Sequence, residues 1–287
     1  MDVIFSVIIP TYNRKDTLKK CLNAVFTQTY PNTDYEVIVI DDGSTDGTEE
    51  LVNSLLNDAP CALRYFKQEN KGPAAARNVG IKNAKGEIIL FTGDDCIADS
   101  HLIEKHMKYH NAYKDVVVLG HTAWHSDLEI TPFMEYITTS GVQFGYPLIK
   151  NKKNVPFNFF YTSNISVGKK HLMEVGLFDE NFKYAAWEDI ELGYRLVQNG
   201  IKIIYNKNAI TYHHHFTTLN KFCERQKISG ISAIVFWKKH PEFKSHCSIY
   251  NNSIVFYITK MKVKFFSMFK NIFLYKYYCH VILAMSL

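Results

Sequence analysis

None of the six cysteines (Cys21, Cys61, Cys96, Cys223, Cys247 and Cys279) forms a CxxC pair or any framework spacing. That argues against a structural zinc site and a disulfide scaffold, and the thiols are expected to stay reduced, as in a cytosolic protein. Met1 to Pro10 carries no cationic leader and no small-residue cleavage site, and its apolar run is only strand length. Lysines interrupt the later apolar stretches before they reach the roughly 18–20 uncharged residues of a spanning helix. No arginine-rich run alternates with aromatics, so the net charge of +5 does not describe a nucleic-acid groove. Internal repeats and low-complexity linkers are missing too. The expectation is a cytoplasmic protein, with any membrane contact peripheral, at the inner face of the cell membrane.

What is present is a globular composition, 47% hydrophobic and 21% charged, over 287 residues. That length suits one large domain with an appendage. Over residues 1–120, β-branched runs (Phe5–Ile9, Tyr35–Ile40, Ala62–Phe66, Ile88–Thr92 and Val116–Leu119) alternate with amphipathic stretches. This βαβ series implies a mostly parallel sheet covered by helices on both faces, which binds ligands at the carboxyl ends of its strands. Residues 121–161 are irregular and aromatic, and read as an acceptor-side insertion. Order returns with Thr162–Val167, Ile201–Tyr205 and Ala209–Tyr212 as strands, and residues 219–287 read as a helical C-terminal extension.

Acidic residues gather at the predicted strand ends. Asp94-Asp95 follows a buried strand, and two adjacent carboxylates repel unless a proton or cation neutralises them; hard oxygens suit Mg²⁺ or Mn²⁺ bridging to a diphosphate. An ordinary solvated turn explains such a pair equally well. Asp41-Asp42 precedes Gly43-Ser44, either as a capped turn or as a carboxylate for a base imide or ribose hydroxyl. Glu188-Asp189 opens a helix, where it faces the macrodipole or, desolvated beside Trp187, has a pKa raised toward base catalysis. Glu191 and Arg195, spaced i, i+4, read as a surface ion pair. In His213-His214-His215, strand alternation sets His213 and His215 on one face and His214 on the other. Gly168-Lys169-Lys170 is either an approach to the acceptor or diphosphate or a solvated helix start.

In this order the chain resembles the family 2 glycosyltransferases. Ser6-Val7-Ile8-Ile9-Pro10-Thr11-Tyr12-Asn13-Arg14 is similar to the family's opening strand and loop, and Val39-Ile40-Asp41-Asp42-Gly43-Ser44-Thr45-Asp46 to its nucleotide signature. Asn70-Lys71-Gly72 through Arg77-Asn78, then Phe91-Thr92-Gly93-Asp94-Asp95 and Trp187-Glu188-Asp189, continue the likeness over roughly the first 215 residues. The resemblance implies a GT-A, Rossmann-like α/β fold and a metal-dependent inverting transfer from a nucleotide-sugar donor, UDP-sugar favoured, to a glycan or glycolipid hydroxyl. It implies donor contacts from Pro10, Thr11, Tyr12, Arg14, Asp41 or Asp42, Lys71, Arg77 and Asp94. Asp95 is the implied ligand for Mn²⁺ or Mg²⁺, with His213 or His215 beside it; Asp189 is the general base, and Trp187 and Glu188 lie on the acceptor side. Gly93 departs from the family pattern, which commonly has Asp or Ala there.

The domain reading is 1–218 for the catalytic domain, split into a nucleotide-binding half (1–120) and an acceptor-side half (121–218), with 219–287 as the extension. Ile249–Leu287 combines five lysines with aromatics and has no acidic residue. That composition suits an anionic membrane surface in polysaccharide or glycolipid synthesis, or a homo-oligomer contact. A nucleotidyltransferase or nucleotide-sugar pyrophosphorylase would need a glycine-rich basic phosphate loop where Pro10–Arg14 stands. A non-catalytic sugar-binding protein is the other alternative.

Overall fold

The computed structural model describes residues 3–246. The acid-free segment Ile249–Leu287, and with it the expected membrane or dimer contact, lies outside the described residues. The elements run β1 (Phe5–Thr11), α1 (Lys15–Phe26), β2 (Tyr35–Asp41), α2 (Thr48–Leu55), β3 (Ala62–Lys67), α3 (Pro73–Asn83), β4 (Ile88–Thr92) and β5 (Cys96–Ala98). They continue with α4 (Leu102–Ala112), β6 (Val116–Trp124), α5 (Pro132–Thr139), β7 (Asn164–Gly168), α6 (Lys169–Glu174), α7 (Glu188–Gln198), β8 (Lys202–His213) and α8 (Leu219–Lys239).

The chain divides into two compact units. The first, up to Glu129 and from Ile149 to Phe216, contains an eight-stranded sheet in the order β3-β2-β1-β4-β7-β6-β8-β5. Only β7 and β5 run against the others. The strands are apolar on both faces because both faces are covered. Phe5, Val7 and Ile9 of β1 pack with Leu18, Leu22 and Val25 of α1, while Ile8 approaches Gly80 of α3 on the other side. Each such side chain withdrawn from water contributes about 1.5–3 kcal/mol. The second unit joins Ile130–Leu148 to the chain from Thr217. There α5, capped by Thr131, sets Phe133 edge-on to Phe222 of α8 at 5.6 Å. No described helix is long and apolar enough to cross a membrane.

Two expectations change, and of the two readings of Gly168-Lys169-Lys170 the helix start is the one found, at α6. Ile201–Tyr205 and Ala209–Tyr212 belong to one strand, β8, carried across its polar middle by parallel pairing to β6 with a register shift between Leu119 and His121. Gly168-Lys169-Lys170 lies at the edge opposite the acidic loops: β7 is antiparallel to β4, pairing Gly168 with Ile88 at β4's start, so it ends where β4 begins. Lys169 Nζ donates to the Ala84 carbonyl and Lys170 pairs with Asp115. Glu191 and Arg195 are not a surface pair. Glu191 is fully buried, and Arg195 bonds it through Nε and Nη2 while also donating to the carbonyls of Val175 and Leu177.

Candidate active site

The loops after β1 and β2 are tied to each other. Asn13 takes the left-handed conformation (φ 51°), which an asparagine tolerates better than most residues. Its N–H donates to Ser44 Oγ at 2.8 Å, its Oδ1 accepts from the Thr45 N–H at 2.8 Å, and the next amide but one, Lys15, donates to Asp46. Asp41 is fully buried and uses both oxygens within the fold, accepting from the Ser44 N–H (2.7 Å) and the Tyr65 hydroxyl (2.7 Å). Asp42 organises the turn before α3, accepting from Gln68 Nε2 (2.6 Å) and from the N–H groups of Lys71 and Gly72 (both 2.9 Å). Pro10 lies opposite Ile40 in the last step but one of β1, and Tyr12 and Lys71 remain exposed beside these loops.

At the end of β4, Thr11, Arg14, Asp94, Asp95, His213 and His215 form one cluster. Thr11 Oγ1 donates to Asp94 Oδ2 at 2.9 Å, and Arg14 donates from Nη1 to Asp94 Oδ1 and from Nη2 to Asp95 Oδ2, each at 2.8 Å. His213 Nε2 lies 3.3 Å and His215 Nδ1 4.0 Å from the same Asp95 oxygen. β8 ends at His213, so His214 and His215 lie past the strand; His213 and His215 nevertheless both reach the acidic pair, while the His214 ring packs 5.1 Å from that of His125. Burial, opposed by Arg14 and reinforced by the neighbouring Asp95 charge, raises the Asp94 pKa to about 7. Burial acts on Asp95 too, but the hydrogen bond and charge of His213, together with Arg14, outweigh it and hold that carboxyl below its usual range. A β-carbon on Gly93 would stand 2.8 Å from Asp95 Oδ1, so the glycine makes room for the carboxylate as oriented. One carboxylate oxygen flanked by two imidazole nitrogens is a donor set that fits a divalent first-row metal ion.

The third group is carried by α7. Trp187, its N-cap, has φ 69°, an outlying conformation for a bulky residue of the kind found at functional sites. Glu188 turns inward to Arg77 Nη1 at 2.8 Å, and the Arg77 guanidinium lies 5.5 Å from the Phe178 ring. Arg77 is therefore buried against α7 rather than on the surface of α3. Asp189 accepts from its neighbour's amide, Ile190 N–H, at 2.8 Å and from the Thr162 backbone. Because β4 and β7 pair Thr92 with Asn164, Thr162 stands at the edge where Asp94 and Asp95 emerge, and Asp189 shares that edge. Burial, reinforced by the Glu188 charge and opposed by Arg77, raises the Asp189 pKa to about 7.

Three contributors escaped the sequence reading. Asn13, Ser44 and Asp46 clip the two nucleotide-side loops together, and the signal that could have found them is composition: small polar residues with a tolerance for left-handed backbone or turn capping, clustered just past two strand ends.

A model of glycosyl transferase family 2 matches residues 6–182. An uncharacterised glycosyltransferase of Bacillus subtilis, YfnE, is 31% identical over 252 residues, covering 72% of this chain and 64% of its own length. The chain spans less than two thirds of the length of the curated relatives it matches first. Among solved structures, the Pyrobaculum calidifontis mannosyltransferase PcManGT, in complex with GDP-Man and Mn²⁺, superposes with a TM-score of 0.69 at 16% identity, over 99% of this chain and 85% of that one. S. aureus TarS 1–349 in complex with UDP gives 0.58 at 23% identity, over 80% of this chain and 65% of that one. At these identities the two structures establish the fold, a GT-A-type mixed sheet.

Proposed function

The chain belongs to glycosyl transferase family 2, and from that premise we propose that it moves a sugar from a nucleotide diphosphate donor to an acceptor hydroxyl, with inversion and with a divalent metal, Mn²⁺ or Mg²⁺. The observation that carries the reading is the gathering of Asp94, Asp95 and Asp189 at one sheet edge, with the Asp189 pKa raised to about 7. A base poised near neutrality is what deprotonation of a sugar hydroxyl requires. Pro10, Thr11, Tyr12 and Asp42 would hold the nucleoside, with Asp41 shaping the loop beneath and Lys71 beside it. Uridine is favoured on the family resemblance of the loops after β1 and β2; the two fold-mates are a UDP and a GDP-Man complex.

Asp95, His213 and His215 would hold the metal, which when bound neutralises charge on the departing diphosphate as a Lewis acid. Asp94 is kept in place by Thr11 and Arg14 and would serve the ribose or a water on the metal. Asp189 accepts the acceptor's proton as its hydroxyl attacks, and one base with a direct attack gives a single displacement. Trp187 and Glu188 contribute on the acceptor side: Trp187 by its strained turn, Glu188 by its charge on Asp189. Residues 1–218 are assigned the catalytic role. The acceptor is assigned to cell-surface polysaccharide or glycolipid.

The test is Asp189→Asn, which keeps shape and removes the base. Nucleotide diphosphate binding by calorimetry should stay within about twofold while transfer falls by about 10²-fold or more. Transfer near the wild-type rate would reject the assignment.

A further inference from the structure

Two carboxylates as close as Asp94 and Asp95 need a counter-charge, and here the chain itself supplies one. The Arg14 guanidinium forks across the pair at 2.8 Å to each and reaches His215 Nδ1 at 3.2 Å. Two of those three acceptors, Asp95 Oδ2 and His215 Nδ1, belong to the set proposed to hold the metal, and His213 shares the same Asp95 oxygen. A divalent cation held by that oxygen and His215 would need the place the guanidinium takes between them and would be repelled by its charge. The two cations compete for one place.

The loop geometry lets Arg14 yield it. Its backbone is held on either side, by Asn13 to Ser44 and Thr45 and by Lys15 to Asp46, so displacement needs only side-chain rotation. The side chain is 35% exposed, enough to swing without unpacking the core. A guanidinium prefers a bidentate anion, and a nucleoside diphosphate bound beside Thr11 and Tyr12 offers one.

We infer that Arg14 is a tethered counter-cation that occupies the metal's place until a divalent ion displaces it, and that a nucleoside diphosphate assists by giving the guanidinium a new partner. This rests on the metal assignment of the proposed function. Metal and diphosphate then bind with positive coupling, because the arginine that must leave for one is received by the other.

The experiment measures free Mn²⁺ by electron paramagnetic resonance at about pH 8, where the carboxylates' protons compete least, with and without UDP, for the wild type, Arg14→Gln and Arg14→Lys. Arg14→Gln should bind Mn²⁺ alone about tenfold more tightly than the wild type and show a smaller gain from UDP. Arg14→Lys, which keeps the charge but not the fork, should fall between the wild type and Arg14→Gln. Mn²⁺-induced rise in Tm gives a second readout, expected to be larger in Arg14→Gln. Equal or weaker Mn²⁺ binding by Arg14→Gln, with Mn²⁺ bound by the wild type, overturns this inference alone. Failure of the wild type to bind Mn²⁺ even with UDP overturns the metal assignment and this inference with it.

Discussion

Replacing Arg77 with methionine keeps much of the side chain's length but takes the charge out of a pair whose members are only 9% and 2% exposed. The Glu188 carboxylate then loses its 2.8 Å partner within a site that water hardly reaches. Stranding one member of a buried ion pair costs about 3–5 kcal/mol, and the lost approach of Arg77 to Phe178 acts in the same direction. For a protein of this size that is a fall in Tm of about 10 °C. The same change removes the guanidinium that opposes the rise of the Asp189 pKa, while the Glu188 charge that promotes the rise remains. The working form of Asp189 as a base is the anion, so activity climbs as pH passes its pKa. In Arg77→Met that climb moves above about pH 7, and the activity deficit is larger near pH 7 than near pH 9. Adding Glu188→Gln removes the stranded charge, recovers most of the stability and brings the climb back down. Thermal unfolding and pH–rate profiles of the wild type, the two single variants and the double variant make the comparison. A Tm for Arg77→Met within about 2 °C of the wild type, or a climb that stays in place, would refute the reasoning.

Two further outcomes are expected. His106 donates to Asn164 Oδ1 and accepts from Ser166, which in turn accepts from His110, so the network is built for neutral rings. Burial lowers the pKa of His106 to about 4 and of His110 to about 3. Folded values below the unfolded value mean that the unfolded chain takes up protons first: this stability is complete above about pH 6.5 and is lost as pH falls from there toward about 3, by up to about 2.7 kcal/mol per pH unit while both contribute. Urea unfolding at stepped pH checks it, and a flat profile between about pH 6 and 4.5 in His106→Gln and wild type alike would count against it. The intact chain is also expected to float with anionic liposomes and a chain truncated after Tyr250 to lose that ability, because Ile249–Leu287 carries five lysines and no acid; equal flotation of both would remove the membrane assignment.

Much of the fold could be read because buried parallel strands announce themselves as β-branched runs: Ile88–Thr92 matches β4 and Tyr35–Ile40 falls one short of β2, whereas Val116–Leu119 catches only the first part of β6, whose polar end, through Trp124, carries no such run. The acidic loops followed, since a parallel sheet sends its strand ends to one edge. Direction is not written in periodicity, and so the antiparallel course of β7 and the removal of Gly168-Lys169-Lys170 to the far edge were invisible. Spacing also says that Glu191 and Arg195 meet, but not whether they meet in water; the carbonyls of Val175 and Leu177 that draw Arg195 inward come from another segment. Arg14 illustrates the same limit. Its place in a strand-end loop was legible, its grip on Asp94 and Asp95 was not, because 80 residues separate the partners.

The reversal of β7 has a consequence for how such a chain can diversify. The polypeptide leaves β6 at Trp124 and re-enters the sheet at Asn164, and both points lie at the edge that carries the carboxylates. The stretch between them departs and returns at the same rim, so a change of length within it need not shift β6 against β7, although Val155, paired with Ile203 of β8, and the buried Phe159 and Phe160 fix its later part to the sheet. Under the proposed function, acceptor choice would then be open to change within this stretch, provided that Thr162, whose backbone holds Asp189, stays in place.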